Sequence, residues 1–170
     1  VTASTLVSVS SVCGIVGTVF SGLISDKMFR SNRTIPACLS SLLNLAALAL
    51  FLFGPRQCEI LDIISMILFG ISIGILLCFL GGLMAIDIAP KEATGAAVGV
   101  IGIASYAAAG LQDVVSGFLI ESRKAIIDGN PVYDFSAIRI FWLSAALVSL
   151  LFLLIIWGAR KKHVSSNIHY

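Results

Sequence analysis

Charge is scarce in this chain. Only 12% of its 170 residues are Asp, Glu, Lys or Arg, against about 25% in an ordinary soluble domain. Hydrophobic residues make up 58%, and the mean hydropathy is +1.04. The two together exclude a water-soluble fold, and the apolar content excludes intrinsic disorder. A net charge of +2 is too small and too local to serve a nucleic acid, so none is expected as a partner. Histidine is limited to His163 and His169, in a basic tail without partner carboxylates. That spacing suits no metal site. The four cysteines (Cys13, Cys38, Cys58, Cys78) have neither zinc-site nor thioredoxin spacing. They read as small apolar filler. No metal, no cofactor and no catalytic cluster is expected, so the chain is not read as an enzyme.

What is present is apolar length. A membrane-spanning helix needs roughly 20 apolar residues, and five such runs occur. We expect an all-α, polytopic transmembrane bundle with spans at 1–25, 34–55, 61–86, 92–120 and 138–158, then a basic cytoplasmic tail at 159–170. The ten-residue alternation of an outer-membrane barrel is absent. The longest connection, 121–139, holds Asp128, Gly129, Asn130 and Pro131, which read as a turn. The first apolar run begins at Val1 without an initiator Met, a flanking loop or the positive start of a signal peptide. We expect a piece of a longer protein.

Orientation follows from the basic residues of the loops. Lys27, Arg30, Arg33, Lys91, Arg160, Lys161 and Lys162 fall on one side, against Arg56, Arg123, Lys124 and Arg139 on the other. The richer side is expected to be cytoplasmic. The Asn32-Arg33-Thr34 glycosylation triplet falls on that side and carries no weight.

In the fourth span Gly99, Gly102, Tyr106, Gly110, Asp113 and Gly117 recur every three or four residues, which places them on one stripe of a helix. Glycines on such a face allow close helix approach, so Gly99, Gly102, Gly110 and Gly117 are read as packing positions. The first span (Gly14, Gly17, Ser21) and the third (Gly70, Gly74, Gly81) repeat the pattern more weakly. An intramembrane carboxylate faces a partner or a wet cavity, and for Asp113 a functional role and structural pairing stand level. Tyr106 is read as cavity lining. Asn44 is a further candidate contact for a substrate, although an interhelical hydrogen bond is its more usual role. Asp26 closes the first helix, where the macrodipole disfavours an anion. It should therefore have a compensating partner, either Arg30 or Arg33 or another helix N-terminus.

The string Gly22-x3-Asp26-Lys27-x2-Arg30-x2-Arg33 resembles the short cytoplasmic loop signature of the major facilitator superfamily. The fuller Ser25-Asp26-Lys27-Met28-Phe29-Arg30-Ser31-Asn32-Arg33 is similar to its organophosphate:phosphate antiporter branch. So is Ala89-Pro90-Lys91-Glu92-Ala93-Thr94-Gly95-Ala96-Ala97-Val98-Gly99, followed by Gly102 and Tyr106. The resemblance covers the whole chain, which would be helices eight to twelve of a twelve-helix transporter. It implies a multi-pass protein of the cytoplasmic membrane that rocks two six-helix halves. It also implies partners: the lipid bilayer, the N-terminal half of the same chain, a small phosphorylated solute and inorganic phosphate.

Within that resemblance the phosphate-binding arginines lie on the first and seventh helices, outside this sequence. Tyr106 matches a tyrosine of the central cavity and is carried over as a ligand contact. Gly22, Asp26, Lys27, Arg30 and Arg33 form the conformational motif. In the third span Ile75-Leu76-Leu77 stands where the branch often has Tyr-Gly-Pro. The connector Asp128-Gly129-Asn130-Pro131-Val132-Tyr133 resembles hexose-phosphate members, and Lys91-Glu92-Ala93-Thr94-Gly95 resembles hexose-phosphate sensors. The expected function is exchange of a hexose-6-phosphate-like sugar for phosphate. A sensor of the same fold and a glycerol-3-phosphate antiporter are the alternatives.

Overall fold

The computed structural model describes residues 3–28, 33–55, 58–127 and 130–166, with the side chains of residues 24, 26–28, 127 and 159–166 outside that description. Its elements are α1 (Ala3–Met28), α2 (Thr34–Phe53), α3 (Glu59–Cys78), a π-helical turn (Phe79–Leu83), α4 (Met84–Ile88), a 3-10 turn (Lys91–Ala93), α5 (Thr94–Glu121), β1 (Lys124–Ile127), β2 (Asn130–Tyr133) and α6 (Ser136–Ser166). Five segments are long and apolar enough to cross a membrane: Ala3–Leu23, Thr34–Phe53, Glu59–Ile88, Lys91–Glu121 and Ser136–Gly158. The protein is a multi-pass helical membrane bundle. Helix α6 runs on to Ser166, so helical backbone continues beyond the apolar run and into the basic tail.

Helix boundaries follow local chemistry. Helix α2 stops at Phe53 because Gly54-Pro55 follows; the Gly54 N–H donates to the Leu50 carbonyl at 2.9 Å. Helix α3 opens with Glu59 and Asp62 in its first turn, where the positive end of the helix dipole favours acids. Pro90 separates α4 from α5, and Thr94 Oγ1 donates back to the Pro90 carbonyl at 3.1 Å. Asp134 caps α6: Ser136 donates its N–H to Oδ1 at 2.9 Å and its hydroxyl to Oδ2 at 2.7 Å. Those two bonds, with Arg123 nearby, hold the Asp134 carboxyl below its ordinary pKa.

The connector after α5 is more ordered than the turn expected from its sequence. Strands β1 and β2 pair antiparallel with Ile127 opposite Asn130 and Lys124 opposite Tyr133. Asp128 and Gly129 join them and lie outside the described residues.

Helix α3 is central, with α1 along one side and α2 along another, and α2 in turn contacts α6. Side chains from α2, the π turn and α6 meet in the core as Ala37, Phe79 and Leu153. The closest helix contact is between α1 and α3, which touch backbone to backbone. A Cβ at Gly17 would strike the Ile71 carbonyl oxygen, at Gly70 that of Ser10, and at Gly74 that of Gly14. Thr18 Oγ1 bridges the same contact, 2.9 Å from the Gly14 carbonyl and 3.2 Å from that of Gly74. Small residues here permit dispersion contact where lipid supplies no hydrophobic drive. Helix α5 touches the bundle near the π turn and α4, and touches α6. Ser116 is its buried residue.

Candidate functional site

The loop between α1 and α2 and the end of α4 come together at one end of the bundle. Arg33 Nε lies 2.9 Å from Asp87 Oδ2, with both side chains mostly covered. The contact is one of charge more than direction: Arg33 Nε and Nη1 are buried and make no hydrogen bond among the described residues. Ser25 Oγ, one residue before Asp26, is likewise buried without a hydrogen bond among the described residues. The side chains of Asp26 and Lys27, and the whole of Arg30, lie outside the described residues. Gly22 sits on α1, where a Cβ would meet nothing within 4 Å among the described residues. Of the motif's charged residues, Arg33 therefore has a described partner, and that partner is an aspartate the sequence reading did not single out.

Along α5, Tyr106 is exposed, as are Asp113 and the glycines Gly99, Gly110 and Gly117, while Gly102 is partly covered. Tyr106 and Asp113 make no side-chain hydrogen bond or ion pair among the described residues. A Cβ at Gly99, Gly102, Gly110 or Gly117 would meet nothing within 4 Å among the described residues. Among the described residues no helix packs against the stripe, and the close glycine packing is at α1 and α3. The stripe is an exposed face about three turns long from Tyr106 to Gly117.

Asn44, on α2, does not lie on that face. Its Oδ1 accepts from the Ser72 hydroxyl of α3 at 3.2 Å, and the same hydroxyl is 2.9 Å from the Phe69 carbonyl. That is the interhelical bond more usual for a mid-span amide. Asn44 also lines a cavity of about 450 Å³ with Leu48, Phe69, Gln112 and Trp142. Tyr106 and Asp113 are not part of its wall. The candidate contacts therefore fall into two places: Asn44 in a cavity among α2, α3, α5 and α6, and Tyr106 with Asp113 on the open face of α5.

No three of His, Cys, Asp and Glu gather to hold a metal ion among the described residues. The polar groups available to a solute are hydroxyls, amides and isolated charges, which suit reversible binding.

These features define a polytopic α-helical membrane protein with an ion-paired loop at one end and an open, glycine-lined helix face. The chain is 30% identical over 157 residues to a glycerol-3-phosphate transporter of Bacillus subtilis (strain 168). The alignment covers 89% of this chain and 32% of that relative, so the chain spans about a third of the relative's length. No protein-family model and no solved structure matches it.

Proposed function

We propose that this chain is the C-terminal part of a secondary transporter of the major facilitator type, one that exchanges a small phosphate ester for inorganic phosphate. The observation that carries the reading is the 30% identity, maintained over 89% of the chain, to a glycerol-3-phosphate transporter. The loop motif ending at Arg33 and the Tyr106 stripe support it from the sequence. Glycerol 3-phosphate takes support from that relative, and hexose 6-phosphate from the connector around Asn130. We take glycerol 3-phosphate as the substrate. In this reading Tyr106 faces the solute, and the Arg33–Asp87 pair holds one of two alternating states.

The test is uptake by the full-length protein in vesicles loaded with inorganic phosphate. Phosphate-dependent uptake of labelled glycerol 3-phosphate is expected. Uptake of glucose 6-phosphate in its place would move the assignment to the hexose ester. Binding of either ester without exchange would make the protein a receptor. Absence of both binding and exchange would overturn the reading altogether.

A further inference from the structure

Two cavities lie end to end between the helices. The outer one, about 490 Å³, sits where α2 ends and α3 begins, and is lined by residues that include Leu52, Asp62, Ser116, Phe135 and Arg139. The inner one, about 450 Å³, is walled by Asn44, Leu48, Phe69, Gln112 and Ala146, among others. Phe51 and Trp142 belong to both walls. Along every helix that lines both cavities, the inner residues lie deeper in the span than the outer ones. On α2 the wall runs from Asn44 to Leu52, on α5 from Gln112 to Ile120, and on α6 from Ala146 back to Ile138.

The outer cavity holds one carboxylate and one guanidinium. Asp62 is in the first turn of α3, and Arg139 lies one turn into α6. Both are partly covered. Neither side chain forms an ion pair or a hydrogen bond among the described residues, with each other or with anything else. Each lies about one turn, roughly 5 Å, inside the end of a segment long and apolar enough to span a membrane, Glu59–Ile88 for Asp62 and Ser136–Gly158 for Arg139. Between the two charges the walls are apolar and aromatic, and Trp142 anchors them by donating from Nε1 to Ser116 Oγ at 3.0 Å. The inner cavity is also mainly apolar. Its volume lies in the range of sites for small organic groups, roughly 300–1,000 Å³. Gln112, one turn inward of Ser116, adds an amide to the mainly apolar inner wall.

We propose that these two cavities hold one zwitterionic phospholipid with a primary ammonium, its phosphate at Arg139, its ammonium at Asp62 and an acyl chain in the inner cavity. A guanidinium favours a phosphate oxygen, and a primary ammonium has the N–H groups that a carboxylate accepts from. A quaternary ammonium has none. An anionic headgroup would meet Asp62 with like charge. The site rests on these cavities and is independent of the solute transported.

The test is lipid retention by the full-length protein, taken from discs with equal phosphatidylethanolamine, phosphatidylcholine and phosphatidylglycerol and read by native mass spectrometry. The wild type should retain phosphatidylethanolamine about fivefold over the others, as one charged hydrogen bond at a half-open site allows. Asp62→Asn should abolish that preference over phosphatidylcholine, and Arg139→Gln should lower retention of all three. Ala146→Phe, which fills the inner cavity, should weaken retention of a long-chain lipid and leave its short-chain analogue unchanged. An unselective wild type would overturn the proposal, as would selectivity that survives both charge substitutions. So would a double variant that regains the thermal stability lost by each single one, since Asp62 and Arg139 would then be partners of each other. If inorganic phosphate alone, in lipid-free detergent, raised the melting temperature through Arg139, the site would belong to a soluble anion and not to a lipid.

Discussion

Arg33 and Asp87 stand 54 residues apart in sequence and 2.9 Å apart in space. Their contact brings the α1–α2 loop and the end of α4 to the same end of the bundle, as alternating spans require. Partly open to solvent, the pair contributes about 1 kcal/mol, less than the several kcal/mol lost when one member of a fully buried pair is removed. Arg33→Gln and Asp87→Asn should each lower the unfolding free energy by about that amount. The double variant should lose little more than either single one. A double-mutant cycle of thermal unfolding in detergent checks this, and strictly additive losses would show the two side chains to be uncoupled.

The loop motif leads to a kinetic expectation. Asp26→Asn should slow conformational exchange more than it weakens ground-state solute binding, because a latch biases a two-state equilibrium without touching the ligand. Distance measurements between spin labels on the two halves of the full-length protein, paired with a binding isotherm, separate the two effects. Lost binding with normal exchange would instead place Asp26 at the solute.

Glycine positions should divide by location. A Cβ at Gly74 would strike the Gly14 carbonyl oxygen, whereas one at Gly102 meets nothing within 4 Å among the described residues. Gly74→Ala should therefore force α1 and α3 apart at a cost of about 1–3 kcal/mol, as overpacking does. Gly102→Ala should fall within about 1 kcal/mol of wild type on helix propensity alone. Thermal unfolding of both variants of the full-length protein is the measurement. An equal loss at Gly102 would mean that the α5 stripe packs against a part of the protein outside this chain.

Sidedness is open to labelling. Cysteines placed at Ser31 and Ser165 should react with an impermeant maleimide only from the cytoplasmic face, and one at Asn130 only from the opposite face. Reversal of the pattern would sink the orientation read from Lys and Arg.

The five spans were legible because hydrocarbon thickness imposes one length on every crossing, and runs of Leu, Ile and Ala at that length have few other uses. The Asn44–Ser72 bond was legible for a related reason, since a mid-span amide must find a polar partner. The glycine contact was harder to place. Gly99, Gly102, Gly110 and Gly117 form the more regular stripe, yet α1 and α3 make the close approach, since a stripe does not say which neighbour it meets. The hairpin at 124–133 extends the turn read from its sequence: Asp128-Gly129 between Ala125-Ile126-Ile127 and Val132-Tyr133 is a two-residue hairpin pattern. The charged outer cavity could not be read at all. Asp62 and Arg139 are 77 residues apart in different loop-proximal turns, and only the packing of α3 against its neighbours puts them in one space. Arg33 with Asp87 was hidden in the same way.

The open face of α5 supports the sharpest functional expectation. Tyr106 combines a ring that tolerates an apolar helix surface with a hydroxyl that can donate to a phosphate oxygen or accept from a sugar hydroxyl. It is exposed and free of any partner among the described residues, so a solute would not have to displace an internal bond. Asp113 lies seven residues further along, about 10 Å away on the same face. A carboxylate repels a phosphate, so under the proposed function Asp113 would lie beside the polyol part of the ester or against a cation from outside this chain. In the full-length protein Tyr106→Phe should weaken solute affinity by about 1 kcal/mol, the usual worth of one neutral hydrogen bond. Asp113→Asn should alter the preference between phosphate and its esters more than it alters affinity for either. Competition binding of inorganic phosphate, glycerol 3-phosphate and glucose 6-phosphate to each variant distinguishes the roles. Unchanged affinities together with lowered thermal stability would make the face a packing surface, with the solute site elsewhere.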